Sequence, residues 1–310
     1  MTIYRPTVAQ EMGGDHSINK ATKILTAAIL ALSAAGVQAA EKPLKILLVN
    51  DDGCQSVGTT SLQEKLAAKG YDVWMVAPAT NQSGIGSAIT FKTGKVFDVK
   101  KAADKRYCFP GTPADALDFG LWGVLKDAPP DLVISGVNDG PNTGMAQVNS
   151  GTVSAAARAV RYGFPAIAAS IGYRFTEEEM KNKWPSTHKY WPDSVDYVVS
   201  LVDKLNAAHK PGSPIMPQGA GLSINYPPLP SAEIKGVHYI ENEQFPVPQI
   251  GYELLADGTA KQTMNPEAMK PAEGDNDSGW LNKGYITYTL FDGSWNAPHY
   301  QAQFEALLGK

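Results

Sequence analysis

Cysteine is scarce: Cys54 and Cys108 are the only two in 310 residues. Two thiols cannot build a disulfide-rich scaffold or a four-cysteine zinc site. The chain holds no apolar run of the ~20 residues needed to cross a bilayer, so no membrane span is expected. No block of basic residues stands out, and the 27 Lys+Arg against 31 Asp+Glu leave a formal net charge of −4. That balance argues against binding a nucleic-acid duplex through its backbone. A Gly-x-Ser-x-Gly nucleophile elbow is missing, as is a Walker phosphate loop. Histidine is sparse too. Beyond residue 40 it occurs at His188, His209, His238 and His299, clear of every polar loop singled out below. Ser–His or zinc chemistry therefore has little to stand on. A hydrophobic fraction of 43% excludes a disordered chain.

What is present begins with a distinctive first forty residues. Lys20 and Lys23 precede an apolar run from Ile24 to Ala35, followed by Val37, Gln38 and Ala39. A positive flank, a short apolar stretch and small residues at −3 and −1 read as a cleaved secretory signal over 1–40, with cleavage near Ala39 or Ala40. The expected home is the periplasm or the outside of the cell. A disulfide survives there, and Cys54 with Cys108 is the sole pairing available; two buried thiols are the equal alternative.

From residue 41 to 225 the chain alternates short buried strands with amphipathic helices. Apolar runs at 45–50, 71–77, 131–135, 166–170 and 221–225 read as parallel strands, the last closing the main sheet. Helices are expected over 61–69, 112–125, 153–162 and 194–208, a hairpin within 91–109, and an insertion over 173–192. This is an α/β pattern: a Rossmann-like, mostly parallel sheet with helices on both faces. Residues 226–310 are richer in Pro and Gly and read as a smaller, β-rich, hairpin-bearing lobe with a closing helix over 299–308.

In an open parallel sheet the ligand sits beyond the carboxyl ends of the strands, so four loops carry the functional expectation. Asn50-Asp51-Asp52-Gly53 follows the first strand. Its adjacent carboxylates repel unless a cation compensates, and Mg²⁺ or Mn²⁺ prefers such oxygen donors; the same composition also makes an Asx turn. Asn81-Gln82-Ser83-Gly84 follows the second strand, with a hydroxyl and two amides. Ser135-Gly-Val-Asn138-Asp139-Gly-Pro-Asn142-Thr-Gly144 follows the third; Asn138 can offer a neutral oxygen, and the glycines let backbone N–H groups approach an anion. Ser150-Gly151-Thr152 opens a helix, where the residues can serve as a cap or as a phosphate cradle. Together they supply hard oxygen ligands and an anion site, the equipment for metal-assisted phosphoester hydrolysis.

Read in order, these motifs resemble the SurE family of survival proteins, nucleotidases and acid phosphatases. The matching run covers about residues 45–225 and includes Ile46-Leu-Leu-Val-Asn-Asp-Asp-Gly53, Val76-Ala-Pro78, Asn81-Gln-Ser-Gly84, Gly111-Thr-Pro-Ala-Asp115, Ser135-Gly-Val-Asn138, Gly140-Pro-Asn-Thr-Gly144 and Ser150-Gly-Thr-Val153. The resemblance implies a divalent metal held by Asp51, Asp52, Ser83 and Asn138, with Asp51 and Asp52 also catalytic. It implies that Ser150, Gly151 and Thr152 hold the phosphate of a small phosphomonoester, a nucleoside monophosphate. It further implies a homo-oligomer, dimer or tetramer, built through the C-terminal region. Departures from the family pattern are Ala79-Thr80 for an Asp-Arg pair, Asn149 for a Tyr, and Asp139 where small residues are commoner. They keep a second reading open: a binding protein that captures phosphorylated metabolites without turnover. A haloacid-dehalogenase mechanism is excluded by geometry, since it needs Asp at i and i+2 whereas Asp51 and Asp52 are adjacent.

Overall fold

The structure, a computed structural model, describes residues 42–244, 250–270, 272–294 and 298–308. The secretory-signal reading over 1–40 lies outside the described residues. In chain order the elements are β1 (Lys45–Val49), α1 (Val57–Ala68), β2 (Asp72–Pro78), β3 (Lys100–Ala103), β4 (Arg106–Phe109) and α2 (Pro113–Phe119). Then come β5 (Leu132–Asp139), α3 (Ala146–Asn149), α4 (Gly151–Arg161), β6 (Ala166–Ile171), α5 (Glu177–Lys181), α6 (Pro185–Ala208) and β7 (Gly221–Tyr226). The chain ends with β8 (Val237–Tyr239), β9 (Ile250–Leu254), β10 (Ala260–Met264), α7 (Asp277–Asn282), β11 (Ile286–Phe291) and α8 (Gln301–Leu308).

Nine strands form one sheet in the order β3-β4-β2-β1-β5-β6-β7-β11-β8. The run from β4 to β7 is parallel throughout. Alternation along β1 shows why both faces are covered. Ile46 and Leu48 pack with α1 residues Leu62 and Leu66 and with α6 residues Val195, Val198 and Val202. Leu47 and Val49 point the other way, into a second core with α2 residues Ala116 and Leu117 and α4 residues Ala155, Ala156 and Ala159. A strand buried on both sides is apolar along its length, as β1 is from Ile46 to Val49; the buried Lys45 at its start is paired with Asp72.

Several boundaries differ from the sequence reading, each for a packing reason. Helix α1 starts at Val57, four residues before the expected Ser61. Gly58 and Thr59 are poor helix formers, but a Cβ on Gly58 would stand 2.2 Å from the Val137 carbonyl oxygen, so this turn is held by contact rather than propensity. The expected insertion over 173–192 is instead α5 and most of the first half of α6, which runs on through Pro192. The sheet does not end at β7: β11 pairs antiparallel with β7, and β8 pairs with β11. Only β9 and β10 form a separate two-stranded sheet. The hairpin sought in 91–109 is β3–β4. Helix α8 forms where the closing helix was expected, yet all its residues are exposed. Among the described residues no helix is long and apolar enough to cross a membrane.

Candidate active site

Because β1, β2, β5, β6 and β7 are parallel, their carboxyl ends share one rim, and the expected loops meet there. Asn50 builds the first turn: its side-chain amide donates to the Gly53 carbonyl (2.9 Å) and to Thr59 Oγ1 (2.8 Å), while its oxygen accepts from the Gly53 amide (3.1 Å). This fixes Asp51 and Asp52 at the tip of β1. Cys54 follows directly, and it is bonded to Cys108 of β4 with Cα atoms 5.2 Å apart. Its amide also donates to the Pro78 carbonyl at 2.7 Å, so the carboxylate turn is tied to the ends of β2 and β4.

Three of the expected residues touch. The Thr152 hydroxyl lies 2.5 Å from Asp51 Oδ1 and 3.1 Å from Asn138 Oδ1, bridging α4 to the ends of β1 and β5. Asn138 is fixed from its other end, donating to the Gly140 carbonyl at 2.8 Å. Asp52 joins through the Asp139 amide, which donates to its Oδ2 at 3.2 Å. Two glycines allow the convergence. Gly136 has φ +117°, and a Cβ there would sit 2.1 Å from the Ala169 carbonyl oxygen; only glycine lets β5 bend against β6 at this point. A Cβ on Gly151 would lie 2.7 Å from Asp51 Cβ, so its absence brings the start of α4 onto the Asp51 side chain.

Ser83 and Ser150 stand differently. Ser83 is exposed, its amide donating to Asn81 Oδ1 at 2.8 Å in an Asx turn. It is joined to the others through the backbone, the neighbouring Gln82 amide donating to the Asp51 carbonyl at 2.7 Å. The rest of its loop is stapled at a distance: Thr90 donates twice to Asp115, and Thr112 Oγ1 donates to the Ala88 carbonyl at 2.6 Å. Ser150 caps α4, its Oγ accepting from the Val153 amide at 3.0 Å. The sequence reading gave Thr152 to phosphate; here its hydroxyl is bonded to Asp51 and Asn138.

The electrostatics are those of crowded anions. Burial pushes the Asp51 carboxyl up, opposed by the Thr152 hydroxyl and by the backbone amides at Asp51, Thr152 and Gly151. Burial, then the neighbouring Asp51 charge, raises Asp52 to about 7, with Asp139 adding repulsion. Among the described residues no Lys or Arg forms an ion pair with Asp51, Asp52 or Asp139. Asp139 Oδ1 is buried with no hydrogen-bond partner. Nor do three His, Cys, Asp or Glu side chains among the described residues stand where they could hold one metal ion together. A cation here would take two carboxylates and neutral oxygens, a donor set that suits a hard ion such as Mg²⁺ or Mn²⁺ rather than zinc.

Some site residues escaped the sequence reading. Asp139 Oδ2 lies 3.3 Å from His188 Nε2 of α6, and the Tyr173 hydroxyl donates to the Asp139 carbonyl at 3.1 Å. Tyr173 and His188 sit in the stretch read as an insertion. The available signal was weak: an Asp beside Asn138 where a small residue is usual.

The family described as "Survival protein SurE" matches residues 46–245. A protein named "5'-nucleotidase SurE" from Roseobacter denitrificans is 35% identical over 197 residues, which cover 63% of this chain and 71% of that one. One of the same name from Jannaschia sp. is 34% identical over 201 residues, 64% of this chain and 72% of the other. The crystal structure of the Sure protein from Aquifex aeolicus superposes with a TM-score of 0.67 at 29% identity, covering 85% of this chain and 99% of that one.

Proposed function

The chain belongs to the SurE family, and from that membership we infer that it is a phosphatase of the nucleotidase kind, hydrolysing nucleoside monophosphates. The observation that carries this is the single contact group Asp51–Thr152–Asn138, with Asp52 beside it, at the carboxyl rim of the sheet. The relatives named 5'-nucleotidase support turnover rather than capture.

The family is generally metal-dependent, and the donor set fits a divalent cation, Mg²⁺ or Mn²⁺. Asp51, Asp52 and Asn138 would hold it, with Ser83 presented by its loop. Bound there, such an ion neutralises phosphate charge and lowers the pKa of a coordinated water. Asp51 and Asp52 enter as carboxylates. Thr152 orients Asp51 by its hydroxyl, and Asn138 is oriented from both ends of its amide. The first turn of α4, from Ser150 through Thr152, places its backbone N–H groups and positive dipole end at the same point, where the added charge of a phosphoryl oxygen is stabilised. Hydrolysis breaks one P–O bond; water supplies oxygen to phosphorus and a proton to the leaving alkoxide.

Purified protein should release phosphate from AMP with Mn²⁺ or Mg²⁺ and stop on addition of EDTA. Asp51→Asn should lower kcat at least about 100-fold, the loss of several kcal/mol of charge stabilisation. An Asp51→Asn enzyme with wild-type kcat would defeat the assignment.

Two wider features belong to the same proposal. The Cys54–Cys108 disulfide and the leader pattern support an oxidising location, the periplasm or the outside of the cell. N-terminal sequencing of the exported protein should begin near Ala40 or Glu41; a start at Met1 or Met12 would contradict this. The exposed apolar side chains of β9 and α8, Tyr252, Leu254, Phe304 and Leu307 among them, support a homo-oligomer joined through the C-terminal region.

A further inference from the structure

Beside the candidate site, on the same rim, lies a cavity of about 560 Å³, within the range of small-molecule sites. Its floor is apolar: Pro227, Pro228 and Leu229 follow β7, and Leu281 lies in the last turn of α7. Three of these, Pro227, Pro228 and Leu281, are buried. Its rim carries three cations, Arg174, Lys235 and Lys283, against one carboxylate, Glu233. Among the described residues none of the three cations has an ion-pair partner. Lys283 is held in place, donating to the Gly274 carbonyl at 3.2 Å with its ammonium 4.5 Å from the Trp280 ring centre.

Tyr173 links this cavity to the carboxylates. It lines the cavity, and its ring stacks on Trp184 with centroids 4.5 Å apart. Its hydroxyl reaches the Asp139 carbonyl at 3.1 Å, and the Asp139 amide reaches Asp52 at 3.2 Å. The cavity is therefore one tyrosine side chain from the carboxylate cluster, at the carboxyl ends of β6 and β7, where open parallel sheets take their ligands.

We propose that this cavity is a leaving-group subsite that selects phosphomonoesters whose nucleoside carries a second phosphate, that is, nucleoside bisphosphates; this rests on the phosphatase reading above. The apolar floor takes the flat body of the nucleoside. The unpaired Arg174, Lys235 and Lys283 take the phosphate that is not being cleaved, and Arg174 can do so with two parallel N–H donors. A nucleoside monophosphate fills the floor and leaves the cations with water. The reaction is unchanged: water cleaves one ester P–O bond, giving inorganic phosphate and the nucleoside monophosphate.

The test compares kcat/KM for adenosine 3′,5′-bisphosphate, AMP and p-nitrophenyl phosphate in the wild type and in an Arg174→Ala/Lys235→Ala double variant. Both positions are exposed, so folding should survive. The wild type should prefer the bisphosphate over AMP. The double variant should lose about tenfold or more on the bisphosphate, a loss typical of one or two charge-assisted contacts. It should stay within about twofold on p-nitrophenyl phosphate, by the same reasoning that its leaving group carries no second charge. Equal losses on all three substrates, or no loss on any, would overturn the subsite. Failure of the phosphatase reading looks different: the wild type would then turn over none of them. Calorimetry of adenosine 3′,5′-bisphosphate in EDTA reads the cavity without turnover. Binding should weaken about tenfold in the double variant, and equal affinity would overturn the proposal.

Discussion

Gly151 is the residue on which the site's closeness depends. A methyl group there would press on Asp51 Cβ at 2.7 Å and on Pro113 Cγ at 2.8 Å. Gly151→Ala should cost about 1–3 kcal/mol of stability, as overpacking does. It should also lower kcat on AMP about tenfold or more by moving the start of α4 off Asp51; steady-state kinetics beside a thermal melt separates the two effects. Asp72 makes a second residue-level case, distant from the chemistry. Burial raises its carboxyl, but Lys105 (2.8 Å) and Lys45 outweigh this and hold it down to about 2. A carboxyl depressed on folding stabilises above its unfolded pKa near 4 and loses that contribution as pH falls through about 2. Asp72→Asn should therefore lower the unfolding free energy by about 2 kcal/mol at pH 7. The gap from wild type should narrow through that acid window when urea melts are run at each pH. A gap that stayed constant would show that lost packing, not charge, is the cause.

Among the elements, the turn after β1 depends on a covalent tie. The disulfide spans a sequence separation of 54, and the chain-entropy account gives about 4 kcal/mol for a loop of that size. Cys54→Ser/Cys108→Ser should melt roughly 8 °C or more below the wild type, and reductant should lower the wild-type melting temperature toward it. A reductant-insensitive melt would contradict the pairing. The sequence left this pairing open because β4 is brought beside β2 only by long-range strand pairing. The same limit explains α6. Its first half has little helical periodicity, yet Trp191 donates to the Val137 carbonyl at 3.1 Å and Thr187 to the Gly172 carbonyl at 2.7 Å. Those contacts stitch the helix to the ends of β5 and β6. A segment whose order comes from what it packs against reads in one dimension as an insertion.

For the molecule as a whole, the buried sheet and the exposed C-terminal elements pull apart. Strand β9 leaves Tyr252 70% and Leu254 80% exposed, and helix α8 leaves Leu307 79% exposed. Light scattering should give a mass that is a multiple of the protomer, and Tyr252→Lys/Leu254→Glu should shift it toward one protomer without unfolding the sheet. A monomeric wild type would end the oligomer proposal. The central parallel strands, the helices on both faces and the turns after β1 and β2 were legible because each is encoded locally, whereas the loop expected from Ser135 is strand as far as Asp139 because pairing with β6 resumes past a bulge. A doubly buried strand must be apolar, a helix must repeat near 3.6, and a loop at a strand end shows as Asp, Asn, Ser and Gly. Strands β8 and β11 were not legible as sheet members, since their partners are set by pairing across large sequence distances.

By itself, the chain determined that Asp51, Asp52 and the Ser150–Thr152 segment lie just past a strand or at a helix start, because those positions follow from local hydrophobic pattern; Asn138, read as part of the loop after residue 135, lies inside β5, whose pairing with β6 resumes past a bulge and runs to Asp139. Only the folded arrangement decided that Thr152 bridges Asp51 to Asn138, that Asp139 meets His188 and Tyr173, and that a cationic cavity opens one ring away. Distance between side chains is a property of how strands are ordered in the sheet and where glycines permit close approach. Neither the β5–β6 contact at Gly136 nor the α4–Asp51 contact at Gly151 can be computed from residues that are neighbours only in the chain.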